Sequence, residues 1–313
     1  MERKDEERKA LTLTAVVKAF PLNYDEGYGN VAVAKKVHRG NGETYLFASR
    51  QSIRYSITEW CFQNAGWKRA TVSSGEGNKK VVQLDLKQSS GSEEENYFEE
   101  ADLFGYMITT GETKTRSAVA RLTHLISLEA YYGDQEFLNN KGFADRIKTT
   151  PNLANIETGY GYYKYTLAVD LDRVGKDENF GYKFDKEKRK KRVKDLLEAI
   201  KFLYRDIKGR REDLRPLFVI GGVYPIKLLF FHNAVNIYWR GSKPFVSRES
   251  IKEVLRVELR EKNGTKEKVV DYTKIGIQRG EFGNDGDWTK SPFEAIDDIK
   301  KDVEEAFDKW LQH

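Results

Sequence analysis

Cysteine is almost absent from this chain, since Cys61 is the only one among 313 residues. A single thiol forms no internal disulfide, and no cysteine pair or His–Cys spacing indicates a zinc site. We therefore expect neither a metal nor a cofactor, and a reducing cytoplasm is the compartment that suits such a chain.

Long apolar stretches are missing as well. No run approaches the roughly 20 apolar residues that span a bilayer. The N-terminal sequence MERKDEERKA is highly charged and lacks the apolar centre of a signal peptide. The sequence thus predicts a cytoplasmic protein with no membrane partner.

Residues that usually carry catalysis are few and poorly arranged. None of the four histidines has a serine, a cysteine or a second histidine at a catalytic spacing; they are His38, His124, His232 and His313. His124 falls in a predicted strand, where a hydrogen-bonded structural role is the favoured interpretation. The glycine-containing stretches GYGN (27–30) and GYGYY (159–163) match neither of the nucleotide phosphate-loop patterns.

Two acidic residues lie close enough in sequence to act together. Asp170 and Asp172 flank Leu171 near the end of a predicted strand. They can hold a divalent ion, but capping of the strand end or pairing with Arg173 is the favoured interpretation.

Charge is abundant and nearly balanced. Lys and Arg total 54 against 49 acidic residues, a net charge of +5. This balance permits an acidic partner without requiring one. Seven of the nine residues 186–194 (KEKRKKRVK) are basic. They form either the solvated face of an amphipathic helix or a docking patch for nucleic acid or another partner.

A second basic cluster lies in a predicted turn at Arg210 and Arg211. Arginine on flexible backbone suits phosphate contact. Ion pairing with Glu212 and Asp213 is an equal alternative.

Hydrophobic periodicity predicts an alternation of strands and helices. Without the irregular segments, their order is β-α-β-β-α-β, as in the ferredoxin-like fold shared by RNA-recognition domains, which makes the chain α+β. The strands are expected over 11–19, from about 116, over 160–171 and over 216–222, and the helices after Ser49 and over 187–207, with Gly209 as the second helix's C-terminal cap.

The remaining segments interrupt or extend that pattern. They are an acidic insertion at 65–100 with a short strand at 81–86, an apolar turn and mobile loop at 101–115, an irregular excursion at 129–160, a strand at 234–239, a hairpin at 255–272 turning at Asn263–Gly264, and a final helix capped by Ser291.

The stretch TYLFASRQSIRYSITEW (44–60) is the best candidate for a binding site. Ser49 suits a helix cap, and a helix start offers unpaired N–H donors with a partial positive charge. Arg50, Gln51 and Arg54 near that start would make a phosphate cradle. The alternative is a surface helix whose arginines pair with carboxylates. The apolar side chains that would anchor this helix to a core are Ile53, Ile57 and Trp60.

In this combination the chain resembles the backbone subunit of type I CRISPR surveillance (Cascade) complexes. This is the Cas-seven-type family, and the I-B subtype, or DevR group of CRISPR-associated autoregulators, is the most similar branch. The resemblance extends over roughly residues 11–240. Its most specific segments are LNYDEGYGN (22–30), FASRQSIRYSITEW (47–60), ADLFGYM (101–107), RSAVARLTHLISLEAYYGD (116–134) and KFLYRDIKGRREDLRPLFVIGGVY (201–224).

The resemblance implies a hand-shaped protein that polymerises along a guide RNA. Its RNA-recognition palm would comprise residues 1–64, 116–128 and 161–240, with a helical finger insertion at 65–115. An extended β-hairpin thumb at 129–160 would reach over the RNA to the next copy. Residues 241–313, a hairpin and a helix, fall outside the resemblance.

Residue roles follow from the same resemblance. Ser49, Gln51 and Arg54 match positions that hold the guide's phosphates, and Met107 matches the wedge beside a kinked base. The apolar thumb tip would be Phe137, Leu138 or Phe143. The full set expected to contact RNA is Lys35, Lys36, Arg39, Ser49, Arg50, Gln51, Arg54, Met107, Arg116, Phe137, Leu138, Phe143, Arg210 and Arg211.

The implied function is non-catalytic binding of CRISPR guide RNA (crRNA) in antiviral defence. Its partners would be the guide, target DNA paired with the guide, copies of itself arranged head to tail in a filament, and other Cascade subunits. The alternative is an endoribonuclease of the same core that processes CRISPR repeat RNA. For that reaction, His38 or His124 with Tyr24 or Lys36 would have to supply the acid and base.

Overall fold

The computed structural model describes residues 9–74, 82–86, 97–109, 112–262, 265–283 and 288–309. The helices are α1 (Arg50–Asn64), α2 (Glu99–Phe104), α3 (Lys141–Ala144), α4 (Lys186–Lys201), α5 (Arg248–Leu255) and α6 (Pro292–Lys309), with 3-10 turns at Asp145–Ile147 and Val269–Tyr272. The strands are β1 (Ala10–Ala19), β2 (Val31–Ala32), β3 (Lys36–His38), β4 (Thr44–Ala48), β5 (Val72–Ser74), β6 (Val82–Leu84), β7 (Tyr106–Ile108), β8 (Lys114–Arg116), β9 (Ala120–Leu122), β10 (Leu125–Ser127), β11 (Gln135–Asn139), β12 (Leu153–Glu157), β13 (Gly161–Asp170), β14 (Lys176–Asp177), β15 (Tyr182–Lys183), β16 (Tyr204–Ile207), β17 (Arg210–Asp213), β18 (Phe218–Tyr224), β19 (Ile237–Arg240), β20 (Lys243–Val246), β21 (Glu258–Lys262), β22 (Thr265–Lys268) and β23 (Thr273–Ile277).

One antiparallel sheet forms the centre of the molecule. Its order is β23-β18-β1-β13-β10-β4-β3, and β9 also pairs with β13. The two longest strands, β1 and β13, pair from Ala10↔Asp170 to Ala19↔Gly161. A mixed helix-and-strand structure with an antiparallel sheet, the broad class predicted above, is confirmed.

The first face of the sheet packs against α1, α4 and α6. Alternate residues of β1 and β13, among them Leu13 and Tyr165, point into this core because side chains alternate across a strand. Ile53 and Ile57 of α1 are buried there, as expected, and Trp60 packs at its edge.

The second face of the sheet is only partly covered. The segment 225–283 packs over Val16, Tyr162, Phe218 and Ile220, and it contributes its own apolar side chains to this second core. The part of the face around β10 and the ends of β1 and β13 lies beyond that cover, and it borders the site described below.

Short hairpins project from this frame. β11 and β12 form the longest, with α3 at its tip, and β12 also pairs in parallel with β2. The other hairpins are β5–β6, β7–β8, β14–β15, β16–β17, β19–β20 and β21–β22. The turn at 263–264 between β21 and β22 lies outside the described residues.

The helix expected over 187–207 is shorter than predicted. α4 ends at Lys201 with Phe202 as its cap, and β16 and β17 follow as a hairpin. Lys208 (φ 50°) and Gly209 (φ 76°) form the hairpin turn, so Gly209 is not a helix cap. Two positive φ angles match the twist of a tight hairpin. The apolar spacing continues past Lys201 by coincidence, since Leu203 packs into the core from the chain after the helix.

Two other expectations need correction. Residues 101–115 form α2 and most of the β7–β8 hairpin in the described part of this segment, not an open loop. The strand expected at 234–239 is β19, which pairs with β20 outside the main sheet. Local sequence predicts extended backbone, but it does not indicate which strand the backbone pairs with.

Both predicted helix caps are confirmed. The Ser49 oxygen accepts from Ser52 N at the start of α1. Ser291 and Glu294 exchange backbone and side-chain hydrogen bonds at the start of α6. In the described part of the chain, no helix has the length and apolar character needed to cross a membrane.

Candidate nucleic-acid interface

The start of α1 is fixed by three side chains. Asn23 Nδ2 donates to Ser49 Oγ (3.1 Å), and Ser49 Oγ accepts from Ser52 N (3.2 Å). Arg50 N donates to His124 Nδ1 (3.1 Å). These bonds leave Gln51 N as the first-turn donor with no acceptor among the described residues. The helix start thus offers fewer free N–H groups than its sequence predicts.

The bond to Arg50 also defines the state of His124. Because Nδ1 accepts a hydrogen bond, the neutral ring carries its proton on Nε2. The ring packs edge-on against Phe47 at 5.7 Å. His124 is hydrogen-bonded, as expected, but it lies between β9 and β10 and not within the strand that the sequence predicted.

A cleft of about 320 Å³ lies beside the start of α1. Arg50, Gln51 and Arg54 form one side, and Arg121 of β9 contributes a third guanidinium. Small and apolar residues complete the lining: Phe104, Ala118, Ala120 and Leu122. We refer to this depression as the α1 cleft.

The cations of the α1 cleft are unevenly partnered. The exposed side chains of Arg50 and Gln51 have no hydrogen-bond or ion-pair partner among the described residues. Arg54 lies over the Phe104 ring at 5.6 Å. Arg121 Nη2 donates to Asp170 Oδ2 (3.0 Å). Arg50 and Arg54 therefore face solvent without an ion pair among the described residues, although the charge of Arg54 acts on the nearby carboxyl group of Glu100 and opposes the rise that burial causes in its pKa. Exposed guanidinium groups without an ion pair favour an anionic ligand.

Arg121 is a site residue that the sequence reasoning missed. It occupies the exposed position of β9, next to buried Ala120. An arginine alternating with apolar residues in RSAVARL is the signal that would have indicated it.

The predicted basic loop does not line the α1 cleft. Lys35 pairs with Asp25 (3.2 Å), and Lys36 Nζ donates to both carboxylate oxygens of Glu157 at 2.7 Å. Arg39 lies over the Tyr45 ring at 3.8 Å. Both lysines are therefore already neutralised within the chain.

The predicted apolar contacts lie on two separate hairpins. Phe137, Leu138 and Phe143 are exposed on the β11–β12 hairpin and its tip, with Phe143 at 66% exposure. Met107 on β7 is 62% exposed. The placement of all four suits contact with a partner, and their roles remain predictions.

Arg210 and Arg211 both have acidic partners. Arg210 Nε donates to Glu212 (2.9 Å), and Arg211 forms a two-pronged pair with Asp206 (2.8 and 2.7 Å). Burial lowers the pKa of Arg210, but hydrogen bonds to Tyr24 and Glu212 outweigh it and raise the pKa overall. Of the two acidic residues named for the ion-pair alternative, Glu212 pairs with Arg210, whereas Asp213 pairs with Arg215 and not with Arg211.

Arg116 does not fit the predicted set. Its side chain is 6% exposed, and it donates to Asp102 Oδ1 (2.6 Å) and to backbone carbonyls of Asp102, Arg173 and Lys176. The placement of Arg116 therefore does not suit RNA contact, because its donors are directed into the protein.

Part of the basic run at 186–194 is also internal. Arg192 donates to Asp102 (2.7 Å), and Lys190 pairs with Asp308 (2.7 Å). Arg189 and Arg192 are buried. The run is therefore neither a wholly solvated face nor an open docking patch, since acidic groups from α2 and α6 compensate its charge.

Asp170 and Asp172 take part in ion pairs. Asp170 accepts from Arg121, and Lys227 Nζ pairs with Asp172 at 2.7 Å and with Asp170 at 3.7 Å. Arg173 also lies within 3.5 Å of Asp170. The favoured pairing with Arg173 is confirmed for Asp170.

Chains of CRISPR RNA-guided surveillance complexes share this fold. A chain of a "CRISPR RNA-guided surveillance complex, pre-nicking" aligns with a TM-score of 0.60 and 12% identity, covering 94% of this chain and 100% of that one. A chain of another such complex gives a TM-score of 0.57 and 14% identity, covering 93% and 98%. At these identities the similarity defines the fold alone.

Sequence comparison gives the family. Residues 11–232 match the model described as CRISPR-associated negative auto-regulator DevR/Csa2. The chain belongs to the DevR/Csa2 family, which confirms the resemblance seen in its sequence. No curated protein matches it.

Proposed function

We propose that this protein binds CRISPR guide RNA through its phosphates, as a non-catalytic subunit of a surveillance complex. The α1 cleft carries the proposal, because three guanidinium groups surround one depression and two of them form no ion pair among the described residues. The family match and the RNA-guided complexes that share the fold support it.

The chemistry of the α1 cleft suits backbone contact rather than base reading. Arg50 and Arg54 present charged donors from the first turns of one helix, where the helix dipole also favours an anion. Phosphate contacts fix the position of a strand without reading its sequence. A subunit that holds any guide requires this property, because specificity then rests on base pairing between guide and target DNA.

We propose that the palm has the ferredoxin-like topology. The elements β1, α1, β10, β13, α4 and β18 follow in the order β-α-β-β-α-β. Their strands lie side by side as β18-β1-β13-β10, with antiparallel pairing throughout. This order supports an RNA-recognition core into which the other segments are inserted.

Copies of the protein would associate head to tail along the guide, in the cytoplasm and with other Cascade subunits. The β11–β12 hairpin supports this part of the proposal, because it exposes Phe137 on β11 and Phe143 and Ile147 at its tip. An exposed apolar tip on a projecting hairpin suits contact with a neighbouring molecule. A contact between two different surfaces extends into an open filament unless it closes into a ring.

A salt titration tests the phosphate contacts. Replacing Arg50 and Arg54 with Ala should weaken binding of unrelated RNA sequences by the same factor. The plot of log affinity against log salt should also become shallower by about 1.4, because each single-strand phosphate contact contributes about 0.7. The control variant replaces Arg256 and Arg279, two exposed arginines outside the cleft, with Ala. It loses the same amount of positive charge as the cleft variant. An unchanged slope in the Arg50 and Arg54 variant would exclude the α1 cleft as the phosphate site.

The proposed lack of catalysis has its own test. The ring atom Nδ1 of His124 and the ammonium of Lys36 are engaged within the chain, and His38 Nδ1 bonds Thr44 (3.0 Å). We expect repeat RNA to remain intact during incubation with the protein. Discrete cleavage that disappears in His38→Ala or His124→Ala would instead identify an endoribonuclease.

A further inference from the structure

The β19–β20 hairpin is a two-stranded ribbon whose two faces differ in chemistry. On one face, Ile237 pairs across the strands with Val246, and both pack with the second core. Trp239 lies on the same face beside Tyr162, with ring centroids 6.3 Å apart, and its Nε1 donates to Glu129 Oε1 (3.0 Å). These contacts hold the ribbon against the sheet, so its other face is presented in a fixed orientation.

The opposite face carries two aromatic rings and two cations. Tyr238 pairs across the strands with Phe245, and their rings stack with centroids 5.6 Å apart. Arg240 pairs with Lys243 at the end of the hairpin. The guanidinium of Arg240 lies 5.3 Å from the centroid of each ring. We refer to this surface as the ribbon face, and its four residues are Tyr238, Arg240, Lys243 and Phe245.

The two cations of the ribbon face repel each other without compensation. Arg240 and Lys243 stand directly opposite each other, and like charges in that position destabilise a pair of strands. Both side chains are exposed, and neither forms an ion pair or a hydrogen bond in the part of the chain that the structure describes. Residues 233–248 include three basic residues and no acidic one. An anion bound between Arg240 and Lys243 would relieve the repulsion.

Tyr238 adds a stacking surface beside that anion site. Its side chain is 39% exposed, while Phe245 supports its ring and packs in turn against Gly283. A supported, exposed ring suits stacking with any planar base, because every base has a π-face, and the neighbouring arginine strengthens such a contact. Sequence-independent binding of a single strand combines these two features, cations for the phosphates and aromatic rings for the bases.

The ribbon face is separate from the α1 cleft. Tyr162, beside the ribbon, and Leu167, which pairs with Leu122 of the cleft lining, are five residues apart on β13. At about 3.4 Å per residue, the separation along the strand is roughly 17 Å. The ribbon also lies outside residues 11–232, which match the family model. A phosphate at the ribbon is therefore not the one held in the α1 cleft.

We propose that the ribbon face binds single-stranded DNA, with a phosphate between Arg240 and Lys243 and a base stacked on Tyr238. This inference rests on the proposed function, because pairing of the guide with one strand of target DNA leaves the other strand unpaired. An acidic protein is the rival occupant. The exposed ring beside the cations favours nucleic acid, since carboxylate groups require the cations alone.

Binding of fluorescent oligothymidylate to the purified complex of full-length protein and RNA tests the proposal. The RNA lacks adenine, so it does not pair with this DNA. Tyr238→Ala should weaken DNA binding about tenfold, whereas Tyr238→Phe should retain it because the ring remains. Arg240→Ala with Lys243→Ala should also weaken DNA binding and lower its salt slope by about 1.4. The affinity of each variant for RNA should stay unchanged.

A matched control separates the ribbon from general charge. Lys68 and Lys183 are exposed, form no ion pair among the described residues, and lie next in sequence to α1 and α4 on the first face of the sheet. Replacing both with Ala removes the same charge and should leave DNA binding intact. Equal losses in the two double variants would overturn the DNA site, and so would full DNA affinity in Tyr238→Ala.

Three further outcomes distinguish the rival occupants. Displacement of the DNA by polyglutamate at an equal concentration of charge would identify an acidic protein as the ligand and overturn the proposal. Weaker RNA binding by the ribbon variants would place the guide itself on the ribbon, with the same consequence. Failure of the wild type to bind RNA would contradict the proposed function, and DNA binding by the RNA-free variants would then decide the ribbon site by itself.

Discussion

At the scale of single residues, the partner of each arginine decides its role. Arg116 and Arg121 lie five positions apart in the segment RSAVARL. Arg116 is buried against Asp102, whereas Arg121 lines the α1 cleft. Both pair with a distant carboxylate, Asp102 or Asp170, but the Arg121 side chain stays 48% exposed while that of Arg116 is 6% exposed. Sequence shows that both are basic, and this difference in exposure becomes visible only when the chain is folded.

Asp102 should be essential for stability. It is fully buried and accepts from Arg116 (2.6 Å), Arg192 (2.7 Å) and Gly175 N. Asp102→Ala leaves two buried guanidinium groups without their carboxylate, which should cost about 3–5 kcal/mol in the free energy of unfolding. Urea denaturation measures this loss.

The control for Asp102 is an exposed pair. Asp206→Ala removes the partner of exposed Arg211 and should change the unfolding free energy little, because solvent screens that pair. Equal losses in the two variants would contradict a special role for the buried cluster.

Lys164 should make stability depend on pH in the alkaline range. Burial, followed by repulsion from Arg39, lowers the pKa of Lys164 to about 8. Its Nζ donates to the carbonyl of Val235 at 2.7 Å. Below about pH 8 the folded protein bears the full cost of a buried charge. Between about 8 and 10.5 the folded chain loses this proton while the unfolded chain keeps it, so stability rises with pH.

Lys164→Met isolates that contribution. The unfolding free energy of the wild type minus that of the variant should increase as the pH rises from about 8 to 10.5. Urea denaturation across this range gives the difference directly. A constant difference would mean that Lys164 titrates as it would in water.

At the scale of elements, local signals predicted helix starts better than helix ends. Ser49 and Ser291 are caps in the structure because the cap, the first turn and the apolar stripe are all adjacent in sequence. The end of α4 was placed too late, at 207 instead of Lys201. The apolar periodicity continues past the end of the helix into the β16–β17 hairpin. Only the pairing of these two strands stabilises that hairpin, and local sequence does not show it.

The β16–β17 turn makes a specific prediction. Lys208 has a φ of 50°, which a lysine adopts at a cost, and Asn-Gly is the preferred pair for such a turn. Lys208→Asn should therefore raise the unfolding free energy by about 0.5 kcal/mol. Lys208→Val should lower it, since a β-branched residue resists this conformation. Loss of stability in Lys208→Asn would contradict the hairpin.

At the scale of the whole molecule, no role was predicted for residues 241–313, and the described part of that region supplies much of the packing. β23 pairs with β18 at the sheet edge, and α6 packs against α4 on the first face. α5 contributes to the cover of the second face. These contacts join segments far apart in sequence, so local patterns could predict the elements but not their positions.

The same reasoning applies to the candidate site. The sequence predicted Arg50, Gln51 and Arg54 correctly as neighbours on the first turns of one helix. It did not predict Arg121, which comes from strand β9 and not from the helix. Function at this site thus depends on the sheet as much as on the helix.

The most direct test of the central claim is the number of protein copies bound to single-stranded RNAs of increasing length. Analytical ultracentrifugation of saturated complexes provides that number. A guide-binding subunit that assembles along RNA should add one copy for each fixed increment of length, whatever the RNA sequence. The double variant with Arg50→Ala and Arg54→Ala should reach the same copy numbers only at a higher protein concentration. A copy number that stays constant as the RNA lengthens would contradict the account.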